Sequence, residues 1–321
     1  RTPQYHPIHR AQKMGSYRSN MITVGIMNDL QWYAVGDARI LKIQDLTLAA
    51  LTPEQLLPDW DDATALQVYS DLPETLDASE TKVLLSVHSW LIKDRGRNIL
   101  VDTGAGNSKA RPAALFFDHL QTVWLENLMR AGVRPEDIDF VLLTHLHVDH
   151  VGWNTRLQNG IWVPTFPNAR YVFSRAEYDF FSNPAHDSVR NKTSFMTRID
   201  SVDPIISADL ADQIDVDGSE VLEGISFHPT PGHTPHHASL VLKSGMERAL
   251  FTGDVMHHPI QVCIPEWSAV FDADPQIAII SRKWALNYAA EHTAAVFTSH
   301  FPMTSAGKVM TYDQGRGWSF L

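Results

Sequence analysis

At 321 residues, 44% hydrophobic and 20% charged, the chain has ordinary globular proportions and the length to bury a large core. Its net charge of −11, with no long run of Lys or Arg, argues against a nucleic-acid-binding surface and against anionic membranes. A single cysteine, Cys263, excludes an intrachain disulfide framework and a cysteine-rich zinc site, and no apolar run is long enough to span a bilayer.

Residues 1–35 read as an irregular N-terminal arm, with Trp32 and Tyr33 as anchors, and residues 36–321 as one domain. The first twenty residues carry Arg1, Arg10, Lys13 and Arg18 with no acid, and lack the apolar core of a signal peptide. A cytoplasmic protein is expected, with export after signal removal as the alternative, since the chain starts at Arg1. The arm is long enough to pack on a second subunit, in a homodimer.

Ala38 to Leu48 alternates as a strand does, and the Pro- and acid-rich stretch Pro53 to Glu80 reads as loops with a short helix. Lys82 to Ile92 and Asn98 to Val101 are strands around the turn Asp94-Arg95-Gly96-Arg97, and the second ends in the glycine-bearing loop Asp102 to Gly106. Leu115 to Arg130 is expected to be a helix, with Leu120, Val123, Trp124 and Leu128 on one face and Gly132 as its stop. Residues 175–200 are expected to be helical. Ala169 to Phe173, Glu223 to Pro229, Ala238 to Leu242, Arg248 to Phe251 and Ala294 to Phe297 read as strands. Pro275 to His292 is the clearest late helix, with Ile277, Ile280, Trp284 and Tyr288 as its apolar stripe. Strands in two groups, each followed by helices, suit two packed sheets with helices outside.

The stretch that carries chemistry is His145-Leu146-His147-Val148-Asp149-His150, directly after the apolar run Phe140 to Leu143. Imidazole and carboxylate are ligands of borderline divalent cations, and loops at strand ends are where sites collect. Three further candidates, His233, Asp254 and His300, each follow a strand-like run. Together they supply His145, His147 and His233 for one cation and Asp149, His150 and His300 for a second. Asp254 is left to bridge the two.

The motifs His145-Leu-His147-Val-Asp149-His150, Pro-Gly-His233-Thr-Pro, Gly-Asp254 and Ser-His300 resemble those of the metallo-β-lactamase-fold hydrolase superfamily, over roughly Val83 to Pro302. The resemblance implies an αββα sandwich of the α/β (α+β) class, with a dinuclear site at one edge. It implies two divalent ions, zinc first, with Mn, Fe or Co also compatible with these ligands. A hydroxide held between the cations would attack a small-molecule ester, lactone or phosphotriester. Asp149, Asp254 and His257 are the candidate catalytic residues. Asp102 is expected to orient a ligand histidine and His237 to support the Gly-His-Thr-Pro loop. His88, His119, His186, His228 and His292 are assigned no metal role.

Within the superfamily, β-lactamases of the commonest zinc class use a Cys ligand, whereas Cys263 lies outside every motif. Diiron members place a carboxylate where this chain has His147. Lactonases of N-acyl homoserine lactones carry a Tyr three residues after the bridging Asp, and here that residue is His257. This position and the chain's length place it nearest the methyl-parathion-hydrolase-like phosphotriesterases. The alternatives are an N-acyl homoserine lactone lactonase, a glyoxalase II-like thioesterase, and a catalytically silent metal-binding interaction protein. Phe116, Phe117, Tyr178, Phe181, Phe195 and Trp267 are the candidates for an apolar substrate pocket.

Overall fold

The structure is a computed structural model that describes residues 21–27, 29–313 and 315–321; expectations for residues 1–20 lie outside it. Among the described residues, two large sheets pack face to face. The first holds β1 (Ile22–Thr23), β2 (Trp32–Val35), β3 (Ala38–Leu48), β4 (Leu85–Asp94), β5 (Arg97–Val101) and β6 (Phe140–Leu142). A small hairpin of β7 (Thr155–Gln158) and β8 (Ile161–Pro164) stands apart, and β9 (Arg170–Ser174) and β10 (Ala211–Ile214) complete the first sheet. The second sheet runs in sequence order through β11 (Glu220–Leu222), β12 (Ile225–Pro229), β13 (Ala238–Ser244), β14 (Glu247–Phe251), β15 (Ala295–Phe297), β16 (Ala306–Tyr312) and β17 (Gly315–Phe320).

Strand alternation builds the layers. Ile99 and Val101 of β5 face inward with Ile40, Trp90 and Leu142, and meet Phe227, Leu240, Leu242, Phe251 and Phe297 of the second sheet. Leu100 and Val141 face outward under Trp124, Leu128, Phe181 and Ile205, while Val241, Leu250 and Val296 lie under Ala285, Leu286 and Ala289. Each fully buried aliphatic side chain contributes about 1.5–3 kcal/mol. The result is an αββα sandwich.

Direction matters more for the site than strand count. β5, β6 and β9 pair in parallel, and so do β14 and β15. Two antiparallel pairings carry β12 to β14, so β12 runs with β14. The loops after β5, β6 and β9 therefore leave their sheet at one edge, as do those after β12, β14 and β15 in the other sheet.

Several expectations are corrected. Trp32–Val35, inside the expected irregular arm, pairs with β3, and Ile22–Thr23 pairs with the far end of the same strand. The helix expected over 115–130 is confined to Trp124–Arg130, after a single 3-10 turn at Leu115–Phe117. The chain between runs alongside 107–111 instead: Arg111 N–H donates to Asp118, His119 N–H to Lys109 O and Thr122 N–H to Asn107. The 175–200 helix is broken at Pro184, where Asn183 ends Arg175–Ser182 and the chain restarts as Lys192–Ser201.

In the Pro275–Glu291 helix, the stripe read as core is only partly so: Ile277 and Ile280 are exposed, while Trp284 and Tyr288 pack half-buried at the edge of the core. Ala278, Ser281, Arg282, Ala285, Leu286 and Ala289 face inward, and the small side chain of Ala278 lets the helix start close against the Gly232 loop. A Cβ on Gly232 would stand 2.2 Å from Ala278 N. Strands β1, β2, β7, β8, β10, β11, β16 and β17 have no counterpart among the strands expected from the sequence.

Candidate metal centre

Four of the seven sequence-predicted ligands leave β6 of the first sheet, and three leave β12, β14 and β15 of the second. The structure brings all seven together. His145, His147 and His233 form one group whose ligand atoms lie within 4.8 Å of one another, and Asp149, His150 and His300 form another. Asp254 stands between them, with Oδ1 3.1 Å from His150 Nε2 and Oδ2 3.2 Å from His233 Nε2 and 3.0 Å from His300 Nε2.

Backbone conformation delivers Asp254. Gly253 sits at φ +55°, and a Cβ there would lie 2.4 Å from His237 Nε2 and 2.9 Å from Thr144 Cβ, so only glycine passes. Asp254 N–H then donates to His237 Nε2 at 2.9 Å, which leaves the His237 proton on Nδ1, facing Thr230 O at 3.1 Å. Burial pushes the His237 imidazole down to about 3, so it stays a neutral acceptor. His237 supports Asp254 and stays outside both groups.

Other hydrogen bonds turn the rings. His150 Nδ1 donates to Asp102 Oδ2 at 2.8 Å, and His300 Nδ1 donates to Ser86 O at 2.9 Å. Thr144 donates its hydroxyl to Asp102 Oδ2 at 2.9 Å, so its oxygen is free to accept from His145 Nδ1 at 3.0 Å. In each case the proton is held behind the ring and Nε2 presents a lone pair to the centre. His147 instead presents Nδ1, 2.9 Å from His233 Nε2.

Burial, then the neighbouring His150 imidazole, hold His145 well below the usual imidazole range, and burial with His233 does the same to His147. Burial opposes charge on Asp254, but the imidazoles of His150, His300, His233 and His145 hold its carboxyl well below the ordinary value. The donor set fits divalent cations. His145 Nε2, His150 Nε2 and Asp254 Oδ1 are buried without hydrogen-bond partners, an arrangement that costs about 1–3 kcal/mol per atom unless something coordinates them.

His257 joins this centre. Its Nε2 lies 3.3 Å from Asp254 Oδ2, its ring stacks at 7° on His300, and neither ring nitrogen has a hydrogen-bond partner. Burial lowers its pKa, so the ring is neutral near pH 7.

The centre floors a cavity of about 450 Å³. Phe116, Phe117 and Phe181 line it, together with Leu48, Leu51, Leu85, Val148, Phe180, Val270 and Phe271, which the sequence reading missed. Tyr178, Phe195 and Trp267 do not line it. Tyr178 packs on Phe173 and donates its hydroxyl to Asp203, Phe195 packs edge-on behind Phe181, and Trp267 packs against Trp60 in the core.

Glu177 was also missed. Ser174, at the end of β9, caps the next helix and drops Glu177 into the interior, where its carboxylate accepts from Leu146 N and His236 N. It thus joins two ligand loops, and burial pushes it up to about 7. A Ser followed three residues later by Glu was the available signal.

The sequence model of the metallo-β-lactamase superfamily matches residues 83–300, from just before β4 to His300. The chain belongs to that superfamily. N-acyl homoserine lactonase of Bacillus cereus is 28% identical over 216 residues, 62% of this chain and 75% of that protein. N-acyl homoserine lactonase AttM of Rhizobium radiobacter is 28% identical over 185 residues, 56% of this chain and 64% of that protein. Among solved structures, the hydrolase AbOPH of the β-lactamase superfamily superposes with a TM-score of 0.77 at 26% identity, covering 92% of this chain and 99% of that one. AidC, a dizinc quorum-quenching lactonase in complex with a product, superposes with a TM-score of 0.73 at 25% identity, over 91% and 97%. With both ligand groups present, this member is a metal-dependent hydrolase.

Proposed function

We propose that the protein hydrolyses the ester bond of a lactone bearing an apolar acyl chain, with N-acyl homoserine lactones as the type. The observation that carries this reading is the join between the polar centre and its surroundings: a cluster of seven ligands opens onto a cavity whose wall is mostly apolar in area, with Phe, Leu and Val side chains on it and Arg190, Asn191, Thr193 and Ser194 beside them. An electrophilic head and an apolar tail match those two surfaces. Relatives named as N-acyl homoserine lactonases support it, and the dizinc lactonase supports zinc as the metal.

His145, His147 and His233 would hold one cation and Asp149, His150 and His300 the other, with Asp254 shared. Bound there, such a pair supplies polarisation of the carbonyl and a water acidic enough to ionise near neutral pH. The chain's own groups do the rest. Asp254 and Asp149 hold negative charge at the centre and can accept the proton of the attacking water. His257, neutral and unpartnered, lines the cavity and can donate a hydrogen bond to the carbonyl oxygen, while the proton that Asp149 or Asp254 takes from the water passes to the leaving alkoxide. The aromatic wall orients the tail and excludes water around the ester.

A second reading, phosphotriester hydrolysis, is favoured by His257 where lactonases carry Tyr. The deciding experiment is a panel on metal-loaded protein: homoserine lactones of increasing acyl length, an aryl ester, a phosphotriester and a glutathione thioester. Lactone turnover whose kcat/KM rises with acyl length supports the first reading. A phosphotriester turned over faster than any lactone overturns it, and inertness toward all four returns the protein to the binding-protein class.

A further inference from the structure

The ring nitrogens behind His145, His150 and His300 are anchored by Thr144, Asp102 and the Ser86 carbonyl. His233 is different. Its Nε2 faces the cluster, and its Nδ1 faces Asp272 Oδ1 at 3.5 Å, with both of those atoms buried and without hydrogen-bond partners. Asp272 Oδ2 is otherwise engaged: it accepts from Arg282 Nη2 and from Ala269 N, each at 3.1 Å. A counter-ion for Arg282 needs only that oxygen. The remaining one, on a fully buried side chain, has His233 in front of it.

Arg282 fixes the carboxylate from behind. It has no exposed surface, and it also donates from Nε to Val255 O at 2.9 Å and from Nη1 to Pro265 O at 2.7 Å. One guanidinium therefore holds both the residue after Asp254 and the carboxylate behind His233.

We propose that Asp272 is a positioning residue for His233, taking the Nδ1 proton in a hydrogen bond so that the Nε2 lone pair is presented to the cluster. Arg282 sets the angle of that carboxylate. A carboxylate behind a metal-bound imidazole fixes tautomer and ring orientation and raises ligand basicity. Val270, Phe271 and Ala273 of the same segment line the cavity, so this segment joins the substrate wall to one half of the centre. The inference rests on His233 as a ligand. Its test is metal uptake, which is independent of the choice between lactone and phosphotriester.

Asp272→Asn in the full chain keeps the shape and removes the charge. Metal-free wild type and variant are titrated with zinc against a chromophoric chelator, and with Co(II) followed by its visible spectrum. Wild type is expected to bind two equivalents. The variant, with an unchanged circular dichroism spectrum, should bind one as wild type does and the other about 10–100-fold more weakly, with an altered cobalt spectrum. If stranding the Arg282 charge prevents folding, Asp272→Asn/Arg282→Gln is measured instead with the same expectation. A folded variant that binds both equivalents with wild-type affinity overturns the proposal. So does a third equivalent in wild type that is lost in the variant, because the gathering of His233, His257 and Asp272 would then itself be a cation site. Wild type that takes up no cation overturns the metal reading, and this inference with it.

Discussion

Asp102→Asn is a two-atom question about a proton. The Asp102 carboxylate is buried at φ +57° and accepts three hydrogen bonds: Thr144 N on Oδ1 at 2.9 Å, and Thr144 Oγ1 and His150 Nδ1 on Oδ2 at 2.9 and 2.8 Å. An asparagine oriented to accept from Thr144 N turns its NH₂ toward the other two donors. His150 must then move its proton to Nε2, 3.1 Å from Asp254 Oδ1, where a lone pair was offered before. The opposite amide orientation sets NH₂ against the Thr144 N–H and strands a buried donor. Either way at least one charge-assisted bond worth about 1.5–3 kcal/mol is lost. Binding at the Asp149, His150 and His300 group should weaken about 10–100-fold, equivalent to about 1.4–2.7 kcal/mol. Zinc competition with a chelator reads this directly, and urea unfolding of the metal-free form reads the loss of stability. Unchanged affinity at both equivalents in folded Asp102→Asn would refute the tautomer argument.

Gly253→Ala should be severe: a left-handed penalty of about 1–2 kcal/mol combines with overpacking of about 1–3 kcal/mol against His237, and soluble yield and unfolding midpoint report it. Burial raises the Asp45 carboxyl from 3.8 to about 6, so the folded state binds its proton more tightly than the unfolded chain does. Its contribution is full below about pH 4 and is lost as pH rises through 6, by about 3 kcal/mol; Asp45→Asn should remove that slope from unfolding curves, and parallel curves would contradict it. Chelation should abolish turnover and lower the melting temperature, with about 4 kcal/mol regained at a metal concentration 1,000 times Kd. Phe117→Ala should raise KM for long-chain lactones more than for short ones, since this half-buried ring lines the cavity and makes no ring contact with a ligand histidine; equal effects across chain lengths would exclude the apolar wall as the tail site.

The centre was more legible than its surroundings, for a physical reason. His145, His147, Asp149 and His150 fall on one loop, so their spacing encodes their convergence, and His233, Asp254 and His300 are each announced by an apolar strand just before them. Phe180 and Phe271 carry no such local signal. They reach the cavity only through tertiary packing, as Trp267 leaves it by packing on Trp60. The stripe on Pro275–Glu291 is half right because periodicity finds the large apolar residues, whereas the inward face is built mostly from Ala278, Ser281, Ala285 and Ala289 with Leu286 among them. Glu177 and Asp272 look like surface acids in sequence. Only the fold shows that one joins two ligand loops and the other stands behind His233.

The ligand loops leave two different sheets, and that division bears on how the molecule comes apart. Each group of three draws two side chains from the first sheet and one from the second, so an ion in either position works as a clasp across the sandwich. With both clasps open, buried imidazoles and carboxylates line the seam with few partners, and the seam is where the two leaves of the sandwich should part first. Hydrogen exchange in metal-free protein should therefore quicken along β6, β14 and β15 before it reaches the hairpins remote from the edge. Cation supply would then govern the lifetime of the fold as well as its chemistry.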